Sequence, residues 1–229
     1  MLIFVNEQLP QNAKTALVHF AETVEFSAPG LLYEAVSAHP DLFFVQIENK
    51  LIVPPNLPPK YFQLLEKRAI SFIVGQSPVG FRYPESAKYN AVITEKYFIH
   101  NLHISDTLLL EHAARLETIH VNQGYTRCNL LALGDTHFIT SDKGIYRTLN
   151  AIGLQVLFVS PKGIELPGFN HGFFGGVCGV WQKTVFISGS LKYHPQGEFI
   201  RQFIAKAGFT VEELHNGPLF DGGSIIFVG

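Results

Sequence analysis

Short apolar runs recur along the chain in a fixed order, with polar stretches between them. In each occurrence an apolar run is followed by a loop, an amphipathic segment with helical spacing and a second apolar run. The leading runs of five such units are Leu2–Val5, Leu51–Val53, Tyr97–His100, His137–Thr140 and Val185–Ser188. Their period of roughly 40 to 50 residues is typical of propellers and other repeat architectures. The pattern therefore predicts five copies of one supersecondary unit.

Units two to five open with one more apolar run, which a few polar residues separate from the leading run. These additional runs are Phe43–Val45, Ala91–Ile93, Leu130–Leu133 and Val177–Val180. The short separations predict tight hairpins. The first unit has no such run before Leu2, but Ser224–Val228 at the other end of the chain has the required pattern. We expect this last strand to pair with the first unit and to close a ring.

These patterns predict a fold of the α/β class, a five-unit α/β propeller of pseudo-five-fold ββαβ repeats with a central channel. We expect one domain over residues 1–229, with units at 1–41 plus 224–229, 42–88, 89–127, 128–176 and 177–223. The amphipathic segments predict outer helices at Ala13–Phe20, Tyr61–Arg68, Asp106–Leu116, Ile145–Ile152 and Glu198–Ala207. Ser105 or Asp106 suits an N-cap, and Gly153 and Gly208 suit left-handed helix ends.

Composition excludes several classes of function. Only 16% of the residues are charged and the net charge is -2, so the chain has no electrostatic footprint for nucleic acid. No apolar window approaches the roughly 18 residues of a membrane span, and no basic region precedes the apolar start. We therefore expect a cytoplasmic protein without a membrane partner. The two cysteines lack partners at metal-ligand spacing, so the sequence predicts neither a metal nor a cofactor.

Two motifs in the linkers between units carry most of the distinctive chemistry. Pro167-Gly168-Phe169-Asn170-His171-Gly172 leads into the fifth unit, and Phe220-Asp221-Gly222-Gly223-Ser224-Ile225-Ile226-Phe227 leads into the last strand. Together with the repeat, they resemble the pentein superfamily, which includes arginine deiminases, dimethylarginine hydrolases, amidinotransferases and agmatine deiminases. The resemblance implies the propeller fold, a catalytic histidine at His171 and a glycine-rich segment ahead of a nucleophilic cysteine.

The chain departs from the family's pattern at three positions. Phe227 stands where the nucleophilic cysteine is expected, Phe173 stands where an acidic residue follows the histidine, and Thr126–Asn129 replaces an acidic segment. Attack on a guanidinium carbon needs a thiolate, a proton shuttle and carboxylates. An arginine facing the channel, such as Arg127, would repel a guanidinium and attract a carboxylate or phosphate. The sequence therefore disfavours standard guanidine chemistry.

Several residues remain candidates for a site, each with a structural alternative. His171, Asp221 and Cys178 are the catalytic candidates, with Cys128 as a second choice of nucleophile. The alternatives are a locally hydrogen-bonded histidine, a turn-capping aspartate and buried, inert thiols. The ligand-binding candidates are Arg127, Cys128, Asn129, Asn170, Gly222, Gly223, Ser224 and Arg82.

Three functions are consistent with these residues. The first is binding of a small polar ligand, anionic or amino-acid-like, in the central channel without the standard guanidine-hydrolase machinery. The second is an altered pentein enzyme that acts on a C–N bond, using His171 with Cys178 or Cys128. The third is a non-catalytic propeller that binds another protein. The linker Pro29–Asp41 is the least repeat-like stretch of the chain, and its role is not assigned by the sequence.

Overall fold

The computed structural model describes residues 1–229, and its strands form five three-stranded sheets and one two-stranded sheet. In chain order the strands are β1 (Leu2–Asn6), β2 (Glu22–Phe26), β3 (Val45–Ile47), β4 (Lys50–Val53), β5 (Phe72–Val74), β6 (Val92–Ile93), β7 (Tyr97–His100), β8 (Glu117–His120), β9 (Leu130–Leu133), β10 (His137–Thr140), β11 (Gln155–Phe158), β12 (Ile164–Glu165), β13 (Cys178–Trp181), β14 (Thr184–Ile187), β15 (Thr210–Glu213), β16 (Leu219–Phe220) and β17 (Ile226–Val228). The fold is therefore mixed α/β with a repeated sheet.

Five helices connect the second and third strands of the five sheets, and one short helix precedes β9. They are α1 (Gln11–Val18), α2 (Pro59–Lys67), α3 (Thr107–His112), α4 (Thr126–Asn129), α5 (Lys143–Ala151) and α6 (Gly197–Lys206). Single 3₁₀ turns lie at Glu34–Val36, Pro40–Leu42, Glu85–Ala87, Gly175–Val177 and Leu191–Tyr193. None of the helices combines the length and the apolar character that crossing a membrane requires.

Every three-stranded sheet has the same topology, in which the middle strand pairs antiparallel with one neighbour and parallel with the other. The antiparallel pair within a unit is a hairpin, whereas the parallel pair needs a crossover, which the helix supplies. In the first sheet the antiparallel partner of β1 is β17, with Ile3 opposite Phe227 and Phe4 opposite Ile226. The predicted pairing between the two ends of the chain is therefore present.

Several element boundaries differ from the prediction, and two of the differences have a clear local cause. The first strand of the second unit begins at Val45 and not at Phe43, because the turn at Pro40–Leu42 continues until Phe44 donates its backbone N–H to the Pro40 carbonyl at 3.0 Å. Helix α3 ends at His112, four residues before its predicted end. Its chain then turns so that Glu117 can begin β8 opposite Tyr97. In both places a hydrogen-bonded turn displaces the element that the apolar pattern predicts.

The helix ends follow the predicted local chemistry. Asp106 is the N-cap of α3, where its carboxylate accepts hydrogen bonds from the backbone N–H groups of Leu108 and Leu109. Gly153 and Gly208 have φ angles of 84° and 80°, in the left-handed region that glycine adopts without a steric cost. Gly153 and Gly208 end α5 and α6 two residues before the third strands β11 and β15 begin.

Candidate functional site

One cavity of about 990 Å³ touches all five three-stranded sheets. Its walls are formed by the strand that opens each unit, and their lining side chains include Val45, Val92, Leu131, Val180 and Ile226. At one end, which we call the hairpin end, the lining residues come from the turns between first and second strands and include Glu48, Glu95, Asp135 and Lys183. At the opposite, strand-start end, the lining residues include Arg127, Gly175, Cys178 and Ser224.

Arg127 lies at the strand-start end on the single helical turn α4, which runs directly into β9. Its backbone N–H donates to the Asn90 carbonyl at 3.0 Å, so the position of the turn is fixed by the third unit. The guanidinium forms none of the ion pairs in the structure, and its buried Nε has no hydrogen-bond partner. Burial lowers the pKa of Arg127, and the negative charge of Asp41 opposes that effect. An arginine without a protein partner therefore faces an apolar-walled cavity.

A buried polar cluster of His39, Asp41 and Cys128 lies beside this arginine. Their exposed fractions are 2%, 0% and 3%, and one potential ligand atom from each lies within 4.8 Å of the others. The Cys128 thiol donates to Asp41 Oδ2 at 3.2 Å. Asp41 Oδ1 and both ring nitrogens of His39 have no hydrogen-bond partner in the protein. We call these three residues the polar cluster.

Ser224 joins the polar cluster to the cavity. Its hydroxyl lies 2.9 Å from Asp41 Oδ2 and 3.2 Å from the Gly175 carbonyl, and its single proton can be donated to only one of them at a time. The backbone of Ser224 has a φ of 66°, in the left-handed region that a residue with a Cβ rarely adopts. A conformation of this kind costs on the order of 1 kcal/mol and persists only where the surrounding contacts hold it.

Asp221 lies next to the polar cluster and is 1% exposed. Its two carboxylate oxygens accept hydrogen bonds from the backbone N–H groups of Phe173, at 2.8 Å, and Gly223, at 3.1 Å. The bond to Gly223 is the turn-capping interaction that the sequence suggests. Burial raises the pKa of Asp221 to about 6, although the positive charge of His39 and the two backbone hydrogen bonds act in the opposite direction.

Two glycines allow this close arrangement. A Cβ on Gly223, whose φ is 72°, would lie 2.4 Å from the Cβ and Cγ atoms of His39. A Cβ on Gly176 would lie 1.8 Å from Asp221 Oδ1. Any larger residue at either position would push the Asp221–Gly223 turn away from His39.

The structure brings most of the sequence-predicted residues together, but it separates some of them. Arg127, Cys128, Cys178, Asp221 and Ser224 surround the strand-start end of the cavity or the polar cluster behind it. Asn129 adjoins them on α4, where its Nδ2 donates to the Tyr125 carbonyl at 2.9 Å and its buried Oδ1 has no partner. Gly222 accepts a hydrogen bond from Asn6 Nδ2 at 3.3 Å and does not line the cavity.

His171, Asn170 and Arg82 are exposed side chains outside the cavity. His171 Nδ1 lies 3.1 Å from the Gly172 carbonyl, and its ring centroid lies 5.8 Å from that of Phe173. It forms no hydrogen bond with either cysteine. The acid/base role of His171 therefore remains a prediction, because its ring forms no hydrogen bond with either thiol.

The two thiols are both buried. Burial, together with the nearby carboxylates of Asp41 and Asp221, raises the pKa of Cys128 well above its usual range. Burial also raises the pKa of Cys178, and the charge of Arg127 only partly opposes this effect. Because the thiolate is the reactive form, neither environment activates a nucleophile. At the position where the resemblance expects the nucleophilic cysteine, Phe227 packs against Trp181 and Phe186 with ring centroids 5.9 and 4.9 Å apart.

Sequence reasoning missed His39, Asp41 and Asn90. Asn90 bridges two units, because its Nδ2 donates to the Asp41 carbonyl at 3.0 Å and its Oδ1 accepts from the Cys128 N–H at 3.2 Å. A usable signal was present, since Asp41, Asn90 and Cys128 each stand just before the first strand of a unit. Equivalent positions of a repeat converge when the repeats pack around a common cavity.

The sequence model of the DUF6873 family, described as a family of unknown function, matches residues 4–226. The chain belongs to the DUF6873 family. No functionally curated protein matches the sequence.

Solved structures of guanidine-modifying enzymes are similar to this DUF6873 protein in fold. SxtG, an amidinotransferase from Microseira wollei in the saxitoxin biosynthetic pathway, is 11% identical, with a TM-score of 0.56 over 93% of this chain and 87% of its own. DDAH from Pseudomonas aeruginosa, complexed with citrulline, is 8% identical, with a TM-score of 0.54 over 93% and 91%. An agmatine deiminase from C. jejuni is 12% identical, with a TM-score of 0.58 over 95% and 78%. The DUF6873 chain therefore has the pentein fold and lacks the C-terminal cysteine.

Proposed function

We propose that this protein binds a small anionic molecule, with a carboxylate of the amino-acid type as the best match, in the cavity shared by the five sheets. We also infer that the sheets close into one ring, a single-domain, five-unit propeller whose channel is this cavity. The pairing of β17 with β1 and the contribution of every unit to the cavity walls support the ring. The unpaired guanidinium of Arg127 at the strand-start end is the observation that carries the ligand assignment.

Electrostatics favours an anion at this position. Arg127 is half-buried and its buried Nε has no hydrogen-bond partner, so an anionic ligand that accepts a hydrogen bond from the guanidinium satisfies a group that the protein leaves unpaired. At an effective dielectric constant of about 20, two opposite unit charges about 4 Å apart attract by about 4 kcal/mol. The negative charge of Asp41 acts on Arg127 and weakens this attraction, but Asp41 forms no ion pair with the guanidinium.

The remaining surface of the cavity suits the non-ionic part of such a ligand. The walls between the two ends carry Val45, Val92, Leu131 and Val180. Apolar area that a ligand covers there contributes about 25 cal/mol per Å². The polar and charged side chains at the hairpin end supply contacts for a second polar group, which is why an amino-acid-like molecule fits better than a simple inorganic anion.

The enzymatic alternative has less support. It requires a thiolate close to a base, whereas both thiols have raised pKa values and His171 is exposed without a hydrogen bond to either of them. The guanidine-modifying activities of SxtG and agmatine deiminase therefore do not carry over to this chain through its own residues. Binding without turnover is the reading that the side chains favour.

A ligand screen with a charge-matched set of probes tests this proposal. We expect glutarate and L-glutamate to raise the thermal unfolding temperature, and agmatine and cadaverine, of similar length but cationic, to leave it unchanged. Isothermal titration then measures affinity for the wild type and for Arg127→Met, which keeps the side-chain length but removes the charge. Loss of a charge-assisted hydrogen bond weakens binding by about 2–3 kcal/mol, which is roughly 30- to 150-fold.

Arg82→Met is the matched control, since Arg82 is exposed and lies outside the cavity. It is expected to bind the anionic probes as the wild type does. Stabilisation by the cationic probes alone, or unchanged anion affinity in Arg127→Met, would contradict the proposal.

A further inference from the structure

We infer that His39, Asp41 and Cys128 form a binding site for one divalent transition-metal ion, with zinc as the best chemical match. The three residues come from two different linkers, so no single local motif of the sequence marks the site. The inference does not depend on the proposed anionic ligand, which concerns Arg127 and the cavity.

The geometry of the polar cluster supports this inference. One donor atom each from an imidazole, a carboxylate and a thiol lie within 4.8 Å of one another. Around a tetrahedral zinc ion with bonds of about 2.0–2.3 Å, neighbouring ligand atoms are about 3.5 Å apart. Small side-chain movements, on the order of 1 Å, therefore bring the three donors to bonding distance.

The hydrogen bonding of the cluster is incomplete without such an ion. His39 is 2% exposed and neither of its ring nitrogens has a partner, and Asp41 is fully buried with Oδ1 unpaired. Buried polar atoms are almost always paired, so two buried side chains of one cluster that both have unpaired atoms call for a specific explanation. A metal ion accepts lone pairs from both residues at once, which no single neighbouring side chain does here.

The charges balance when a divalent ion binds. The Cys128 thiol now donates its proton to Asp41 Oδ2, and metal binding replaces that S–H bond by an S–metal bond and releases the proton to solvent. A thiolate and a carboxylate then neutralise the two positive charges of the ion. His39, whose positive charge acts on Asp221 in the metal-free protein, also releases its proton to solvent and binds as a neutral imidazole. The mixture of sulfur, nitrogen and oxygen donors favours zinc and cobalt over magnesium or calcium.

The surroundings of the site resemble an open, three-ligand centre. Three protein donors leave a fourth tetrahedral position. Ser224, which lies 2.9 Å from Asp41 Oδ2 and also lines the cavity, is the polar group that connects the site to that space. The Asp221–Gly223 turn packs directly on His39 and limits the orientations of its ring.

Cobalt and zinc titrations of protein freed of metal by a chelator test the inference. We expect the wild type to bind one Co²⁺ per chain with a near-ultraviolet thiolate-to-cobalt charge-transfer band, and one Zn²⁺ to displace it. Mg²⁺ is expected to do neither. Absence of a one-to-one Co²⁺ or Zn²⁺ complex in the wild type would overturn the inference.

Cysteine variants locate the ion. Cys178→Ser is the matched control, because Cys178 is equally buried and lies outside the polar cluster, and it is expected to retain the band. Cys128→Ser is expected to lose the band, and His39→Leu to bind Co²⁺ at least tenfold more weakly. A band that persists in Cys128→Ser and disappears in Cys178→Ser would refute the assignment. If circular dichroism shows that Cys128→Ser does not fold, the decision rests on His39→Leu and on the wild-type stoichiometry.

Discussion

Two histidines of this chain are equally hidden from solvent, but they differ in their hydrogen bonding. His100, at the end of β7, is 0% exposed, with Nε2 2.9 Å from the Gly124 carbonyl and Nδ1 2.6 Å from Ser105 Oγ. His39, in the polar cluster behind the strand-start end of the cavity, is 2% exposed, and both of its ring nitrogens lack a partner. Both ring nitrogens of His100 are therefore hydrogen-bonded within the fold, whereas His39 belongs to a cluster of polar side chains whose hydrogen bonding is incomplete.

The difference separates a structural role from a functional one. Because a carbonyl can only accept, His100 Nε2 carries the proton and Nδ1 accepts from Ser105, so the neutral ring is fully satisfied. Burial lowers the pKa of His100 to about 4, which keeps it neutral at physiological pH. His39 has no such arrangement, and stability alone does not explain why a buried position should hold an imidazole there. The comparison shows that hydrogen bonding, rather than burial, distinguishes these two histidines.

The same substitution at both histidines should have very different effects on stability. We expect His100→Leu to lower the free energy of unfolding by about 3 kcal/mol, because it leaves the buried Gly124 carbonyl without its donor, whereas the Ser105 hydroxyl can still donate to the Asn101 carbonyl at 3.0 Å. His39→Leu removes no hydrogen bond within the protein, so we expect a change within about 1 kcal/mol. Urea denaturation in the presence of a chelator measures both values.

Adding zinc provides a further test of the difference between the two histidines. With Zn²⁺ in place of the chelator, the wild type and His100→Leu are expected to gain stability by mass action, and His39→Leu is expected to gain little. Equal losses for the two variants in chelator would show that the unpaired nitrogens of His39 contribute as much to the fold as the paired nitrogens of His100.

The contrast between the two regions also explains which parts of the fold and of the candidate site could be predicted from the sequence. The strands and helices are encoded by local apolar periodicity, and the pairing of β17 with β1 follows from counting strands, so both were predictable. Arg127 and Asp221 were found because they stand at the starts of units beside recognisable motifs. His39 and Asp41 were not found, because the linker that carries them does not resemble the repeat and the direction of each side chain depends on the strand register.

The pH dependence of stability provides a second test of the comparison. The pKa of Asp221 is raised from 3.8 to about 6, so its stabilising contribution is present below about pH 4 and is lost as the pH rises through 6. The pKa of His100 is lowered from 6.5 to about 4, so its contribution is present above pH 6.5 and is lost as the pH falls toward 4. Each shift of two pKa units or slightly more corresponds to about 3 kcal/mol. Between about pH 4 and pH 6.5, the contributions of Asp221 and His100 to the free energy of unfolding therefore change in opposite directions.

Variants separate the two effects. In chelator and relative to the wild type, we expect Asp221→Asn to become less stable by about 3 kcal/mol as the pH falls from 6.5 to 4, because the variant lacks the opposing contribution of Asp221. Relative to the wild type, His100→Leu is expected to become more stable over the same range, because it lacks the contribution that His100 loses. Burial also lowers the pKa values of His194 and His215, but both residues are present in every variant, so the comparison with the wild type removes their contribution. Parallel profiles for the wild type and Asp221→Asn would show that the Asp221 carboxyl does not titrate in this window.

Substitution of Ser224 has the smallest expected effect on stability. It tests whether the hydrogen bond from Ser224 to Asp41 holds the backbone of Ser224 in its left-handed conformation. Ser224→Ala loses the hydroxyl that reaches Asp41 Oδ2 at 2.9 Å but keeps the left-handed backbone. Ser224→Gly loses the same hydroxyl and removes the steric cost of a Cβ at a φ of 66°. We therefore expect Ser224→Gly to be more stable than Ser224→Ala by about 1 kcal/mol in urea denaturation.

Equal stability of the two variants would mean that the backbone relaxes once the hydroxyl is gone. The hydrogen bond to Asp41 would then hold Ser224 in its left-handed conformation, whereas a clear advantage for glycine would assign that conformation to the turn after Asp221.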